Sequence, residues 1–433
     1  MNNNPKKILF GILLLALFLP MLQQGFNFIE VKPLKGAIVN AKDTSFSMNG
    51  WLNATYQTTK EKFLNDNFGL RNIFIRINNQ IAFDVDNLAL ANGMIIGKNN
   101  YIYEEGVIKS YLGDDLCQEK SLNDQLGQLK DVHDSLKRRG IDLIVVAVPN
   151  KAFFYPEFIP DRYGKKKKNS NYEYMSDTLK KMDIPYLDLN SYFIENKHKS
   201  AYPLYPQYGH HWSDYGCDTS TVILVKFIEK LRNIEMPTIK YDTIVTGFDY
   251  LSSDYDIAAG MNLLMSLNTF KMGYPVMSFK DQGKAKPDVL TIGDSFYWGI
   301  YGTGRAGLIF NKYSFWYYFH ELHCPGNPIL QTGDIDLKEE IEKHQIVMIM
   351  ANPLCFNQLG WGFIEAAYKL YHQNNGISHG PPKAINQKLN DIITSIRNTA
   401  SWYNEIVKKA ESRKIPVDSM LKMDAMWMLE NAK

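Results

Sequence analysis

Three short runs of this chain, residues 141–148, 289–292 and 346–350, are apolar at nearly every position, with Asp142 and Thr291 as the exceptions. A strand with one wet face alternates apolar and polar residues, whereas a strand apolar throughout is covered on both faces. A helical pattern at 123–139 precedes the first run, and others near 172–182 and from about 220 to 232, with a further short strand at 184–189, lie between the first and second. Helices alternating with doubly buried strands predict an α/β fold, a parallel sheet flanked by helices.

In such sheets reactive groups gather beyond the carboxyl ends of the strands. Three groups fall there. Gly293-Asp294-Ser295 follows the run at 289–292, Asn352 follows the run at 346–350, and His210-His211-Trp212 lies on the loop after 184–189. A serine at a strand-to-helix turn projects its hydroxyl above the sheet edge, where an imidazole can take its proton and backbone N–H groups can hold an oxyanion. Convergence of serine, base and oxyanion donor is the requirement for acyl transfer. Each piece also has a plainer use: Asp294 or Ser295 as a helix N-cap, Asn352 before Pro353 as a turn residue. Tyr297, Trp298, Trp316, Tyr317 and Tyr318 suit core packing, or a wall on which sugar rings stack. Lys151, in Pro-Asn-Lys-Ala, suits a solvated loop or a contact to an acidic glycan.

Metal chemistry is disfavoured. His320 and His323 flank a Glu at a spacing unlike the zinc His-Glu-x-x-His motif. Cys117, Cys217, Cys324 and Cys355 are widely spaced without a Cys-x-x-Cys pair, leaving disulfides and free thiols both open. A formal net charge of +2 over 433 residues gives no argument for nucleic acid, and the basic run 165–168 lies in a polar stretch. Lys6 and Lys7 precede an apolar run at 8–22 with no small-x-small cleavage site after it, which predicts an uncleaved signal anchor placing the body outside the cytoplasm. That run is short against the about 20 apolar residues of a full span. The expected organisation is a signal anchor (1–25), a helical lead-in and hairpin (26–115), an α/β domain (116–380) with an insertion at about 234–287, and a C-terminal helical tail (381–433). Within the lead-in, residues 56–71 carry aromatics at helical spacing and read as amphipathic and helical.

The Gly-Asp-Ser turn, the Asn after a later strand and the His loop resemble the blocks of SGNH hydrolases. The order is permuted, with His211 ahead of Ser295, which resembles the SGNH-like alginate O-acetyltransferase group, the AlgX/AlgJ type or DHHW proteins. The likeness runs from about 56 to 376. It includes Asn65-Asp-Asn-Phe-Gly-Leu-Arg71, the hairpin 96–103, Val148-Pro-Asn-Lys-Ala-Phe-Phe-Tyr-Pro-Glu157 and Tyr208-Gly-His-His-Trp-Ser-Asp-Tyr-Gly216. The resemblance implies an SGNH-like fold with Ser295 as nucleophile, His211 as base and Asn352 as oxyanion donor. His210, Asp294 and Asp214 would support them, and Trp212, Tyr297, Trp298 and Lys151 would meet substrate. It implies acetyl transfer to an extracytoplasmic polysaccharide, with no cofactor or metal, the acetyl group arriving through a membrane-bound O-acyltransferase. A carbohydrate acetylesterase and a non-catalytic carbohydrate-binding or assembly subunit are the alternatives. One position departs from the family pattern Asp-x-His-Trp: Gly209 stands where the acid that orients the imidazole is expected. Asp214, Asp218, Asp254, Asp256 or a backbone carbonyl would have to replace it.

Overall fold

The computed structural model describes residues 4–36, 40–248, 252–268, 270–280 and 283–372, with isolated positions beyond. The helical tail expected at 381–433 therefore lies almost wholly outside the described residues. Two compact units form: Gly93–Ile257 with Asn268–Asn386, and Met1–Asn92 with Ala258–Leu267 and Gln387–Lys433.

The first unit carries all the strands among the described residues. In chain order they are β1 Met94–Ile96, β2 Ile102–Glu104, β3 Asp142–Ala147, β4 Tyr186–Asp188, β5 Thr238–Gly247, β6 Met272–Lys280, β7 Val289–Gly293, β8 Tyr313–Tyr317, β9 Glu321–His323, β10 Leu330–Gln331 and β11 Ile346–Ala351. Seven make the central sheet in the order β10-β9-β8-β7-β11-β3-β4. The five from β8 to β4 run parallel, and β9 and β10 extend the edge antiparallel.

The apolar runs behave as their composition demands. Along β3, Ile144 and Val146 enter one core while Leu143, Val145 and Ala147 enter the other; along β11, Ile346, Met348 and Met350 alternate in the same way with Val347, Ile349 and Ala351. The helix Glu119–Lys137 covers the second face with Leu122, Leu126, Leu129, Val132 and Leu136, a spacing that keeps one helical stripe inward. The helix Asp214–Arg232 covers the first with Leu224, Val225 and Ile228.

Register then decides where chemistry gathers. Met350 of β11 pairs Gly293 of β7, and Ala351 pairs Ala147 of β3. The three strands end at one level, so the residues that follow them, from Asp294, Asn352 and Val148 onward, emerge side by side.

Two elements differ from the sequence reading. Residues 234–287, expected to be irregular, hold β5 and β6, a long antiparallel pair with a bulge between Tyr241 and Thr243. Most of β5 is exposed, so it lacks the apolar alternation that would reveal it. Trp316 and Tyr317, whose rings suit core packing, belong to β8, paired parallel to β7.

In the second unit the helix Asn4–Phe26 includes Pro20 and has 23 residues, roughly 34 Å at about 1.5 Å each. An 18-residue window within Pro5–Phe26 has a mean hydropathy of 2.0. The helix is thus longer than the apolar run alone suggested and long enough to cross a bilayer. The helical stretch expected at 56–71 is the helix Thr55–Asn67, and a second helix, Arg71–Asp84, follows it. The break falls at Gly69, where a Cβ would meet the Pro20 carbonyl oxygen at 2.2 Å, and at Leu70, whose φ of 69° is left-handed.

Candidate active site

Ser295 opens the turn after β7. Asp294 caps it, its Oδ1 accepting the Phe296 N–H at 3.0 Å, and its Oδ2 accepts the Asn352 N–H at 2.6 Å. One buried carboxylate therefore joins the ends of β7 and β11. Burial pushes Asp294 up to about 6 even against those backbone donors and the His211 charge.

The histidine loop reaches Ser295 from β4's side of the sheet. His211 Nε2 lies 2.8 Å from Ser295 Oγ, and His211 Nδ1 lies 2.8 Å from Asp256 Oδ2. The other Asp256 oxygen accepts the N–H of His210 at 2.8 Å and of Ile257 at 2.7 Å. Burial acts to raise the Asp256 carboxyl, but its bond and charge attraction to His211 and the His210 N–H hold it below the ordinary carboxylate range.

The loop is fixed by buried side chains. Lys151, 1% exposed, donates from Nζ to the carbonyls of Gln207 at 2.8 Å and Gly209 at 2.7 Å. The Tyr205 hydroxyl donates to the His210 carbonyl at 2.5 Å. Ser213 caps the following helix, its Oγ accepting the Gly216 N–H at 2.9 Å and donating to the Pro203 carbonyl at 2.7 Å. Such a cap contributes roughly 1 kcal/mol and fixes where the helix begins. The Phe296 ring packs against both histidines and Trp212.

The structure brings together Ser295, His211 and Asp294 as the sequence placed them, and it corrects several other expectations. Asp214, expected to support the site, instead accepts from Arg305 Nη2 at 3.1 Å. Asp218 lies 2.6 Å from Arg305 Nε, and Asp254 accepts from the Tyr274 hydroxyl at 2.8 Å. Of the four carboxylates weighed, Asp256 is the one on His211. Trp212, Tyr297 and Lys151, expected to meet substrate, are sealed in the interior, the two rings as part of the core and Lys151 by its bonds to the loop carbonyls. Trp298 packs edge-on against Phe315, Tyr317, Tyr301 and His323, a cluster rather than an open wall. Asn352 is 3% exposed, and its side chain knits strand ends together. Its Nδ2 donates to the Pro149 carbonyl at 2.9 Å, while Oδ1 accepts from Asn150 Nδ2 at 2.9 Å and the Leu354 N–H at 3.0 Å. His210 sits behind the site with Nδ1 3.4 Å from Glu104 Oε2, and burial pulls its pKa down to about 3, so it is neutral.

Sequence reasoning missed one neighbour, Glu104, and the place of another, Tyr318, beside Ser295. Glu104 closes β2, and burial raises its carboxyl. Tyr318 brings its side chain within hydrogen-bonding reach of Ser295 and holds a left-handed φ of 50°. A tyrosine with positive φ is uncommon, and strain of this kind concentrates at functional sites. Nothing in the residue order signals such a φ. Among the described residues no cluster of His, Cys, Asp and Glu could hold a metal ion, and no disulfide joins the four cysteines.

A parallel α/β sheet whose strand ends carry a serine, an imidazole bonded to it and a carboxylate on the far ring nitrogen has the arrangement of serine-dependent acyl-transferring enzymes. Residues 95–261 match the family model described as an SGNH hydrolase-like domain, acetyltransferase AlgX. The resemblance read from the motifs therefore holds over that stretch, which includes Lys151, His211 and Asp256 and ends before Ser295. No curated protein matches the chain. Among solved structures, the O-acetyltransferase domain of Pseudomonas putida AlgJ is similar at 14% identity and a TM-score of 0.42, over 68% of this chain and 98% of that one. Pseudomonas aeruginosa AlgX is similar at 14% identity and 0.42, over 64% of this chain and 66% of that one. Bacillus cereus PatB1 is similar at 12% identity and 0.39, over 57% and 93%.

Proposed function

We propose that the chain is a serine-dependent O-acetyltransferase that moves an acetyl group onto a polysaccharide outside the cytoplasm. The observation that carries this reading is the continuous line from Asp256 through His211 to Ser295, with both links at 2.8 Å. His211 Nε2 would take the Ser295 proton as Oγ attacks the acetyl carbonyl. The Ser295 N–H and the second amide hydrogen of Asn352, the first being committed to Pro149, are the donors for the oxyanion. Collapse expels the donor's oxygen, which leaves with the proton from His211, and acetyl-Ser295 remains. A sugar hydroxyl then gives its proton to His211, attacks the ester and restores Ser295. Every proton taken is returned, so the cycle runs on this chain's own groups.

The family match over 95–261 supports acetyl transfer. The apolar helix Asn4–Phe26 supports tethering to a membrane, and in this proposal the body lies outside the cytoplasm and receives the acetyl group through a membrane-bound O-acyltransferase. Purified full-length protein in detergent, treated with p-nitrophenyl acetate and followed by intact mass, is expected to gain one acetyl group at Ser295. Ser295→Ala should gain none, and His211→Ala should acylate slower by several orders of magnitude. Absence of any adduct between about pH 6 and 9, a range spanning histidine titration, would favour a non-catalytic carbohydrate-binding subunit. Turnover to free acetate that added oligosaccharide does not divert would favour an acetylesterase.

A further inference from the structure

We infer that the carboxylate serving His211 has moved from position 209 to Asp256, and that glycine at 209 is the condition of the move. The inference rests on the acyl-transfer reading above and names the residues that position its base.

The argument is steric. A Cβ on Gly209 would stand 2.1 Å from the Ser253 carbonyl oxygen and 2.8 Å from Pro206 Cγ. The nearer atom belongs to the backbone and cannot rotate aside. The segment 253–257 thus fills the volume that any side chain at 209 would need. From there it projects Asp256, whose two oxygens receive His211 Nδ1 and the N–H groups of His210 and Ile257. The carboxylate is held from three directions, which fixes the imidazole proton on Nδ1 and leaves the Nε2 lone pair for Ser295.

The 209 side cannot yield either. Lys151 grips the Gly209 carbonyl at 2.7 Å and the Gln207 carbonyl at 2.8 Å from inside the core. A larger residue at 209 would have to push the 253–256 backbone, and Asp256 with it, off the imidazole. An acid at 209 and an acid delivered by this segment are therefore mutually exclusive arrangements. Gly209 and Asp256 are two halves of one exchange, and Gly209 is not the scar of a lost triad. Asp214, Asp218 and Asp254 offer no alternative, since Arg305 and Tyr274 engage them.

Acetyl-enzyme formation with p-nitrophenyl acetate on the full-length protein tests this, with thermal unfolding run on every variant. Asp256→Asn, nearly isosteric, should slow acylation by about three to four orders of magnitude, as expected from loss of tautomer control. Asp256→Glu should recover part of that loss. The ¹⁵N signals of His211 should report a proton on Nδ1 in the wild type and a shift toward the other tautomer in Asp256→Asn, a change that a merely structural role would not produce. Gly209→Ala should slow acylation too, and the double variant should be little slower than Asp256→Asn alone, because both changes break the same link. Acylation of Asp256→Asn within about tenfold of wild type, too small for a lost triad acid, or of folded Gly209→Ala at the wild-type rate, would overturn the exchange. Should Gly209→Ala fail to fold, Asp256→Asn and its ¹⁵N signals decide. A Ser295→Ala protein that acylates normally would instead overturn the acyl-transfer reading itself.

Discussion

Lys151 shows how much a single buried side chain can hold in place. Its ammonium has two carbonyl acceptors, and burial draws its pKa down to about 7, opposed by the charges of Asp256 and Glu104. An unfolded lysine titrates near 10.4. Between about pH 7 and 10 the unfolded chain therefore holds a proton that the folded chain has released, and stability contributed at this position rises with pH, by up to about 1.4 kcal/mol per unit. Asp294, pushed up to about 6, acts with the opposite slope in a lower window: the folded chain keeps its proton longer, and stability falls as pH climbs from about 4 to 6. Lys151→Met keeps the length of the side chain and removes the charge and the donors. We expect the variant to unfold at lower temperature than the wild type throughout, with the gap widening from pH 7 to 10. Paired thermal melts across that range measure it, and a gap that stays constant would contradict a titrating Lys151. The sequence suits Lys151 to a solvated loop or to a contact with an acidic glycan, and lysines are mostly exposed. Nothing in Pro-Asn-Lys-Ala reveals that β3 ends level with β11 and turns that residue inward.

At the scale of elements, the sequence was most legible where composition alone dictates structure. β3, β7 and β11 are apolar because both faces are covered, and their positions could be read within a residue or two. Their carboxyl ends carry Ser295 and Asn352, so part of the site was legible with them. The exposed strand β5 and the partner of His211 were not, because each depends on a contact between segments far apart in the chain: Asp256 lies 45 residues after His211. The helix Asp214–Arg232 shows the same limit, since the reading began it near 220 whereas Ser213 caps it seven residues earlier. Gly216 in its first turn explains that start. A Cβ there would meet the Leu204 carbonyl oxygen at 2.3 Å, so the helix begins in direct contact with the loop backbone that leads to His211. Gly216→Ala should force that contact apart. The expected cost is about 1–3 kcal/mol, as for other overpacked sites, lowering the melting temperature by several degrees. Acetyl-enzyme formation should slow as well, because Ser213 and Trp212 move with the helix start. Wild-type melting and acylation in this variant would show that the first turn is softer than its packing implies.

For the whole molecule, the division into units separates tether from chemistry. Ser295, His211, Asp256, Asp294, Asn352 and Lys151 all belong to the unit built on the central sheet, while the apolar helix belongs to the other. That helix does not simply end where hydrophobicity ends. Gln23, 3% exposed, exchanges two bonds with Ile29, Nε2 to the carbonyl at 2.7 Å and the Ile29 N–H to Oε1 at 3.0 Å. Gly69 comes so close to the Pro20 carbonyl that no side chain fits between them. The last turns of the helix are thus built into the fold of their own unit. Full-length protein in membranes should resist extraction at alkaline pH. A chain starting at Gly25 should be released, yet lose the packing around Gln23 and Gly69, so that protease cuts the 27–92 region sooner than in the full-length protein. Its acetylation at Ser295 should persist at an unchanged rate, because every residue of the triad remains in an intact unit. Loss of acylation on removing the helix, with the sheet unit still folded by its near-ultraviolet circular dichroism, would instead show that the anchor unit contributes to the chemistry directly.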